Sequence, residues 1–517
     1  MPTGVRLSEL LASLSLATDL GLGLPQEHVL RQTLLADRIA ELHGLSDMER
    51  ACVLHVSLMA WVGCVADSHE LAHWFGDDLA LRADSYSVDK TGLPMLRFMV
   101  DHLVDHGGSW GRIGVVGRFL NSGLRQTAGG FVAHCQTTGD IADRLGLDER
   151  VRRAIGQAFE RWDGKGVPRR LAGDEIELVM RIVQIADDAE VFHRQGGSAA
   201  AVAMVRERSR TEFDPALVDL ISDHADEVFG VVDVADPWDA VVARCAVVDR
   251  LIPDVALTDV LAVFADYADL KSPWWTGHSR AVADLAAEAA GALGLDEQAV
   301  TIVRRAGLVH RLGAVGVSTA IWDKAGPLSV AEVERVRNVP YLTARILARQ
   351  PLLASVGAVA AMVHERLDGS GYPHGLRVDA IPTEARVLAA ARRYQAMGAA
   401  RPHRPAMPLA HRANDLQAEA AAGRLDGAAV DAVLSAAGHR RPRRRVQVAG
   451  LTPREIEVLG LLARGRSNRQ IAAALGISAR TVSTHVEHVY TKAGVSTRGA
   501  AAMFAMRHRL VDPGVDG

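Results

Sequence analysis

Apolar residues recur along most of the chain at intervals of three and four residues. Val282, Leu285, Ala286 and Ala289 are one example, and this spacing is that of an amphipathic helix. No alternating series of apolar and polar residues, the pattern of a strand, stands out. Aromatic residues make up 5% of the chain, so we expect helix cores built mainly from Ala, Leu and Val. The sequence predicts an all-α protein.

A diverged internal repeat occupies most of the chain. Residues 159–192 and 364–397 align without a gap, and periodic helices open upstream of them at His28 and at His278. The shared positions include Glu160/Glu365, Arg161/Arg366, Asp163/Asp368, Gly164/Gly369, Gly166/Gly371, Pro168/Pro373 and Arg181/Arg386. Because a repeated sequence unit indicates a repeated fold, we predict two related helical domains, at 1–250 and 251–437. The first carries an insert at about 67–118, to which the sequence assigns no role.

The two signs of charge are separated along the chain. Residues 439–517 contain fourteen Arg or Lys and five Asp or Glu, a net charge of +9, whereas the preceding residues carry −13. Residues 438–450 combine five arginines with proline and glycine, which predicts a basic linker rather than a helix. A basic C-terminal domain at 451–517 is suited to a polyanion, and double-stranded DNA is the expected partner.

Two helix starts near the C-terminal end carry the same signature. Thr452 precedes Pro453 and is followed three residues later by Glu455, the pattern of a capping box with proline at the first helical position. Ser467 and Gln470 repeat the box. We therefore expect one helix to begin at each place.

A short glycine turn and a longer helical segment follow. Residues 476–478 are Gly-Ile-Ser, and the buried face of the next segment is formed by Val482, Val486 and Val489. Its opposite face carries Ser483, Thr484 and Glu487. Two short helices joined by a three-residue turn, in a basic surround, predict a helix-turn-helix whose polar face enters a major groove.

Residues 451–501, LTPREIEVLGLLARGRSNRQIAAALGISARTVSTHVEHVYTKAGVSTRGAA, resemble the LuxR-type DNA-binding domain along its full length. The resemblance implies a four-helix domain with its helix-turn-helix motif at 468–487. It also implies that Lys492 ends the recognition helix and that Thr497 caps a fourth helix used for dimer contact, so we expect a homodimer. Family members often carry lysine where Ser483 stands, which leaves the operator sequence open.

The predicted DNA contacts divide by chemistry. Side chains expected to meet phosphates, which fix register without reading sequence, are Arg480, Thr481, His485 and Lys492. Side chains expected at base edges are Ser483, Thr484 and Glu487, and Glu487 would accept a hydrogen bond from cytosine. Asn468, which opens the motif, completes the predicted set.

The repeated domains carry a second resemblance. Residues 364–373, HERLDGSGYP, and residues 308–317, LVHRLGAVGV, are similar to signature segments of the HD-GYP family of helical, metal-dependent phosphodiesterases. The resemblance covers most of 270–410 and, more weakly, 25–220. It implies a fold in which histidines and carboxylates hold divalent metals that activate a bridging water for attack on phosphorus.

The ligand set that this resemblance implies is incomplete in both domains. In the second, His278, His310 and His364 stand at ligand positions, but other positions hold Arg311, Ala314, Val339, Val363 and Arg392. Arg311 and Arg392 replace aspartates, and a guanidinium repels a metal and cannot coordinate it. In the first, the residues near ligand positions are His28, His55, His134 and Asp187. Here Val56 replaces the paired aspartate, and Ala158 and Phe159 replace two histidines.

We therefore assign no catalytic residue, no metal ligand and no cofactor. The second pocket is expected instead to bind a phosphorylated or nucleotide effector through charged hydrogen bonds. Its predicted ligand-binding residues are His278, His310, Arg311, His364, Asp368 and Arg392. A simpler alternative is that both arginines reach solvent from a pocket retained for packing.

The leading hypothesis is a DNA-binding transcription regulator whose HD-like region senses an effector or forms the dimer. Two alternatives stay open: a metal-dependent phosphohydrolase acting on a cyclic dinucleotide and fused to a DNA-binding domain, and a non-catalytic interaction scaffold. The sequence shows neither a signal peptide nor a charge-free apolar run long enough for a membrane span, so we expect a cytoplasmic protein without a membrane partner.

Overall fold

The computed structural model describes residues 4–104, 111–246, 249–438, 449–508 and 510. The chain divides into two compact units, Met1–Asp254 and Val255–Gly517. Regular structure in the described residues is helical except for one short pair of strands, which confirms the predicted all-α class. The predicted basic linker falls mostly on residues 439–448, outside the described residues.

The first unit is a helical body to which the insert adds four further helices. Strands β1 (Gly4–Arg6) and β2 (Leu251–Pro253) pair antiparallel and join the two ends of the unit. The helices are α1 (Leu7–Leu22), α2 (His28–Leu42), α3 (Asp47–Met59), α4 (Ser68–Phe75), α5 (Asp78–Ser85), α6 (Gly92–His102), α7 (Gly111–Arg118), α8 (Leu124–Arg144), α9 (Glu149–Ile155), α10 (Leu178–Glu207), α11 (Pro215–Asp223), α12 (Ala225–Phe229) and α13 (Pro237–Cys245).

The insert has an apolar core of its own. Helices α4 to α6 and Phe119, which follows α7, contribute its buried side chains: Leu71, Trp74, Phe75, Leu81, Phe98 and Phe119. The Trp74 and Phe119 rings meet edge to face, with centroids 5.4 Å apart, a favoured aromatic geometry. The insert is therefore a packed element of the first unit.

The second unit repeats the helical body and adds the C-terminal domain. Its helices are α14 (Asp254–Asp269), α15 (His278–Ala292), α16 (Glu297–Val309), α17 (Thr319–Trp322), α18 (Val330–Arg337), α19 (Val339–Leu347), α20 (Pro351–Ala361), α21 (Thr383–Gly398), α22 (Leu409–Ala421), α23 (Gly427–Gly438), α24 (Pro453–Ala463), α25 (Asn468–Leu475), α26 (Ala479–Ala493) and α27 (Arg498–Arg507). Helix α15 packs against α16, α21 and α23, so it forms the centre of this body.

One segment has the length and composition of a membrane span. Residues Asp47–Val65, which comprise α3 and the turn after it, pass that test, but 67% of the segment is buried inside the unit. A buried core helix meets the same length and hydropathy criteria, so this is weak evidence for a membrane span.

The repeat is visible as matched helices. Helices α2 and α15 are each 15 residues long, and α3 and α16 are each 13 residues long. Ala60 and Trp61 follow α3 as His310 and Arg311 follow α16, each pair preceding a short 3-10 turn.

The prediction that His55 and Val56 lie at ligand positions is therefore wrong. Both residues lie inside α3, which runs on to Met59. Burial lowers the pKa of His55, and the charged groups that act on it are Asp249, Arg250 and Asp148. The sequence pattern matched His55 with His310, whereas the equal lengths of α3 and α16 match Ala60 with His310.

Each copy of the glycine-rich loop is held by a buried glutamate at the equivalent position of the repeat, Glu160 or Glu365. Glu160 accepts from the backbone N–H of Arg169 at 2.7 Å and of Leu171 at 2.9 Å. In the second unit, Glu365 accepts from the N–H groups of residues 374 and 376 at 2.8 and 2.9 Å. Because buried backbone donors need partners, this glutamate fixes the loop in both units.

Replacing Gly371 by alanine should destabilise the second unit. A Cβ at this position would lie 2.5 Å from the Glu365 Cα, and relieving such a backbone clash costs on the order of 1–3 kcal/mol. Gly291 is the control, because a Cβ there meets nothing within 4 Å and alanine is favoured in a helix by roughly 0.5–1 kcal/mol. Thermal unfolding followed by circular dichroism should show a lower midpoint for Gly371→Ala than for Gly291→Ala. Equal midpoints would contradict the loop geometry.

Candidate functional site

The C-terminal helices begin where the sequence predicts. The Thr452 hydroxyl accepts from the Glu455 backbone N–H at 3.2 Å, and the Glu455 carboxylate accepts from the Thr452 N–H at 2.7 Å. Ser467 and Gln470 form the same reciprocal pair before α25. Both predicted capping boxes are confirmed, and they satisfy donors that a helix start leaves free.

A glycine in the left-handed region joins α25 to α26. Gly476 has a φ of 65°, a conformation that side chains disfavour, and Ser478 caps α26 by accepting from the Thr481 N–H at 3.0 Å. Val482 and Val489 are buried on the inner side of α26. The opposite side of α26 is thereby turned outward, as in a helix-turn-helix.

The predicted DNA-contacting side chains lie on the accessible surface of this helix pair. Arg480, Thr481, Thr484 and Glu487 are exposed, whereas Ser483 and His485 are partly buried. Asn468 in α25 donates to the Ser483 hydroxyl at 3.1 Å. This bond connects the two helices at the surface that would face the groove.

Lys492 already has an anionic partner within the domain. Its ammonium donates to both Glu455 carboxylate oxygens, at 2.7 and 2.9 Å, and Glu455 is 3% exposed. Burial opposes ionisation of Glu455, but Lys492 and Thr452 lower its pKa to about 2. The sequence did not anticipate this pair, and a phosphate contact by Lys492 would share its charge with Glu455.

Five of the six predicted pocket residues of the second unit lie near one another, four of them at or just beyond the ends of helices. His278 is the first residue of α15, His310 and Arg311 follow α16, His364 follows α20, and Arg392 lies in α21. The rings of His278 and His310 are 5.8 Å apart between centroids. Arg392 acts electrostatically on all three histidines.

Asp368, the sixth predicted residue, does not belong to this cluster. Its side chain is exposed and accepts from the backbone N–H of Ser370 at 2.9 Å and from the Ser370 hydroxyl at 2.7 Å. These bonds lower the pKa of Asp368. Its inclusion in the pocket was wrong, because an aspartate before Gly369 serves the turn itself.

Two guanidinium groups enclose one tryptophan ring at the edge of the pocket. Arg311 and Arg401 each lie 3.4 Å from the centre of the Trp275 ring, which is the geometry of cation–π contacts. Arg311 is 5% exposed, so the alternative in which it reaches solvent is wrong. The sequence comparison missed Arg401 and Trp275, because neither lies in a signature segment.

The pocket contains more cationic than anionic groups. Asp269 Oδ1 lies 3.5 Å from the Arg311 Nε, but the Asp269 carboxylate also accepts from the Ser279 N–H and hydroxyl, both at 2.8 Å. Burial, followed by the nearby Arg392, lowers the pKa of Arg311 to about 9 although Asp269 opposes this. Arg311 therefore remains a cation near neutral pH.

The pocket histidines are neutral. Burial and the Arg311 charge lower the pKa of His310 to about 3, and burial together with nearby arginines lowers the pKa of His278 and of His364 well below the ordinary value. Within the described part of the chain, neither ring nitrogen of His278 has a hydrogen-bond partner, and Nη2 of Arg311 and Nη2 of Arg401 have none either. Such unpaired buried groups are costly unless a ligand completes them.

The corresponding place in the first unit is internally neutralised. His28, 1% exposed, contacts Asp187 at 3.0 Å and also Glu190. Burial alone would lower the pKa of His28, but the two carboxylates raise it to about 10. In the gapless repeat alignment, Asp187 and Glu190 correspond to Arg392 and Gln395. The same fold position thus holds a charged triad in one unit and an uncompensated arginine in the other.

The insert supplies further partners to these carboxylates. The Tyr86 hydroxyl donates to Asp187 at 3.1 Å, and the Lys90 ammonium donates to both oxygens of Asp188, at 3.0 and 3.1 Å. Lys90 of the insert therefore joins Arg208 as a cationic partner of Asp188. No signal in the sequence assigned this role to the insert.

The Trp275 loop, residues 270–277 between α14 and α15, contacts both the arginine pocket and the C-terminal domain. Trp275 in this loop lies against Arg311 and Arg401. The next residue, Thr276, donates to the backbone carbonyl of Ala463 at the end of α24, at 3.0 Å. One short segment therefore connects the two predicted sites of this unit.

Two family descriptions match the chain. An HD domain matches residues 131–217 and 262–429, and the luxR family of bacterial regulatory proteins matches residues 449–505. The C-terminal part is 47% identical over 76 residues to the probable transcriptional regulatory protein NarL of Mycobacterium tuberculosis, which covers 15% of this chain and 35% of that protein.

Relatives of the longer, helical part carry the names of phosphodiesterases. The chain is 29% identical over 407 residues to 3'3'-cGAMP-specific phosphodiesterase 3 of Vibrio cholerae, covering 78% of this chain and 88% of that protein. A crystal structure of a cyclic GMP-AMP-specific phosphodiesterase of V. cholerae matches with a TM-score of 0.58 and 25% identity, covering 85% of this chain and 99% of that chain.

Proposed function

Because this chain is an HD-domain protein that ends in a LuxR-type helix-turn-helix domain, we propose that it is a cytoplasmic, sequence-specific DNA-binding transcription regulator. In this proposal the second HD unit binds a cyclic dinucleotide or another phosphorylated effector without cleaving it. The observation that carries the DNA-binding part is the exposed polar face of α26, held outward by buried valines. The chain is proposed to act on DNA as a homodimer, which light scattering of the full chain tests.

Substitutions on the exposed face of α26 should separate affinity from sequence preference. Arg480→Ala removes a phosphate contact, so it should weaken binding to all duplexes and reduce the slope of log K against log salt by about 0.9. Thr484→Ala and Glu487→Ala remove base contacts, each worth roughly 1–3 kcal/mol, and should change which sequences are preferred. Fluorescence anisotropy on a set of single-base operator variants, at several salt concentrations, measures both effects.

Arg335 serves as the matched control, since it is an exposed arginine in α18, outside the C-terminal domain. Arg335→Ala should leave affinity, salt slope and preference unchanged. If Arg480→Ala, Thr484→Ala and Glu487→Ala all behave like Arg335→Ala, α26 is not the recognition helix.

The effector part of the proposal rests on the arginine pocket. The pocket combines three neutral histidines with the guanidinium groups of Arg311, Arg392 and Arg401. The carboxylate beside Arg311, Asp269, is already hydrogen-bonded to Ser279. This set does not fit a divalent metal centre, because bridging carboxylates are lacking and guanidinium groups repel cations. Among the described residues, no group of three His, Cys, Asp or Glu side chains could hold a metal ion. A phosphate would instead satisfy the free guanidinium donors.

The contacts of the Trp275 loop offer a route from effector to DNA. A phosphate that draws Arg311 or Arg401 toward itself changes their contacts with Trp275, and Thr276 would carry the displacement to the end of α24. Coupling requires that the effector bind two arrangements of this loop with different affinity. Thr276→Val, which keeps the side-chain shape but removes the hydroxyl, should reduce the effect of effector on DNA affinity while leaving each separate affinity unchanged.

Phosphodiesterase activity is the second candidate function. It is favoured by the likeness to 3'3'-cGAMP-specific phosphodiesterase 3 and by the three clustered histidines. Elemental analysis of the purified chain and an assay for 3'3'-cGAMP hydrolysis with added manganese separate the two candidates. A stoichiometric metal and turnover would establish the enzyme, whereas binding without turnover is expected for the receptor.

A further inference from the structure

We infer that the first unit contains a separate binding site for a small, neutral, largely aromatic molecule that carries a hydrogen-bond donor. A cavity of about 250 Å³ lies between the helical body and the insert. Because an apolar cavity of roughly 150 Å³ accepts a benzene molecule, this one is large enough for a substituted aromatic ring system. This inference does not rest on the proposed function.

The cavity is apolar because the first unit has apolar residues at the positions where the second unit has polar pocket residues. Where the second unit has His310, Arg311 and His364, the first has Ala60, Trp61 and Phe159. Trp61 and Phe159 line the cavity, and their ring centroids are 6.1 Å apart. The two units therefore share a fold position but offer opposite chemistry to a ligand.

The insert completes the apolar wall. Phe75, Met95, Phe98 and Met99 line the cavity from the insert side, and Phe75 and Phe98 belong to the insert's own buried core. Because the second unit has no corresponding segment, this cavity is particular to the first. Methionines adapt to varied apolar shapes, and apolar and aromatic walls are typical of sites for small organic molecules.

His134 provides one polar contact in the cavity wall. It is 1% exposed, and its Nε2 lies 2.6 Å from the Ala60 carbonyl oxygen. A carbonyl only accepts, so the proton resides on Nε2. Burial lowers the pKa of His134 to about 4, and the neutral ring is left with a bare Nδ1 that has no hydrogen-bond partner among the described residues. The Nδ1 is covered by neighbouring atoms, and a ligand that displaces them would satisfy this acceptor with a hydroxyl or N–H.

The charged groups at the polar end of the cavity are already paired. Asp188 accepts from Lys90 at 3.0 Å and from Arg208 at 3.0 Å, and Asp187 accepts from Tyr86 at 3.1 Å. A charged ligand would have to break these buried pairs, which is costly. The expected ligand is therefore neutral, in contrast to the anion expected in the second unit.

Isothermal titration calorimetry of the full chain with three naphthalene probes tests the inference. 1-Naphthol supplies an aromatic ring and a hydroxyl donor, 1-methoxynaphthalene lacks the donor, and 1-naphthoate carries a negative charge. We expect 1-naphthol to bind, 1-methoxynaphthalene to bind about tenfold more weakly because one hydrogen bond is lost, and 1-naphthoate not to bind measurably.

Two variants locate the binding site. Ala158→Phe fills the cavity, which Ala158 lines, and should abolish 1-naphthol binding. His134→Phe should remove the difference between 1-naphthol and 1-methoxynaphthalene. Met48→Phe, at a residue that is 65% exposed, and Arg311→Ala, in the other unit, should leave 1-naphthol binding unchanged. A melting curve for each variant establishes that it folds.

The inference is overturned if folded Ala158→Phe binds 1-naphthol as the unmodified chain does, if 1-naphthol fails to bind, or if 1-naphthoate binds equally well. Loss of 1-naphthol binding in Arg311→Ala would show that the probe binds in the second unit, which would overturn the inference as well. None of these outcomes depends on DNA binding or on a cyclic dinucleotide.

Discussion

Replacing Arg311 and Arg392 together by alanine is expected to weaken binding of a cyclic dinucleotide by a factor on the order of 10²–10⁴. Each guanidinium is expected to make charged hydrogen bonds to phosphate, worth roughly 1.5–3 kcal/mol each, and the two together give this range. Calorimetry of the full chain with 3'3'-cGAMP in the presence of EDTA measures the loss. Binding by the unmodified chain should survive EDTA, because the proposed site uses protein cations in place of metal.

Stability should change far less than affinity in this double variant. Asp269 loses its contact with Arg311 but keeps two hydrogen bonds from Ser279, and the repulsion between Arg311 and Arg392 is removed at the same time. Arg304→Ala is the control, because this half-buried arginine of the same unit pairs with Asp284, and the variant should bind the nucleotide normally. Unchanged affinity in the double variant, or binding that requires manganese and leads to hydrolysis, would contradict the receptor proposal.

Replacing His28 by alanine should lower the free energy of unfolding of the first unit by about 3–5 kcal/mol, because two buried carboxylates lose their cationic partner. His224→Ala is the control. The His224 side chain is 46% exposed and pairs with Glu227 at 3.1 Å, and exposed pairs contribute roughly 0–1 kcal/mol. Urea unfolding of the full chain, followed by circular dichroism, compares the two variants.

The contribution of His28 should depend on pH in a defined direction. Its pKa is raised from 6.5 to about 10 in the folded chain, so its stabilising effect is complete below about pH 6.5 and is lost as the pH rises toward 10. The difference in stability between the unmodified chain and His28→Ala should therefore shrink between these limits. A difference that is constant or grows with pH would show that His28 is not a buried cation.

The C-terminal domain could be predicted from sequence because its signals are local. The caps at Thr452, Ser467 and Ser478 and the turn at Gly476 each act over three or four residues, and the structure confirms them. The ion pair between Lys492 and Glu455 connects different helices, so no local sequence pattern predicts it. Counting charges along the sequence therefore overstated the positive charge that Lys492 offers to DNA, because Glu455 already pairs with it.

The HD-like units were predictable in fold but only partly in chemistry. Matching of signature segments located His278, His310 and His364, yet it misplaced Asp368 and matched His55 with the wrong position. The decisive contacts of Arg401 and Trp275, and of Lys90 with Asp188, join residues far apart in sequence. Such contacts depend on tertiary packing, and a single sequence contains no spacing rule for them.

Selection of the full chain on a pool of random DNA duplexes measures whether it recognises a DNA sequence. We expect one enriched motif, bound with an affinity that falls steeply with salt, and a shift of that motif in Thr484→Ala or Glu487→Ala. A pool without enrichment after repeated rounds, or a motif that both variants leave unchanged, would contradict the claim that this chain regulates transcription through sequence-specific DNA binding.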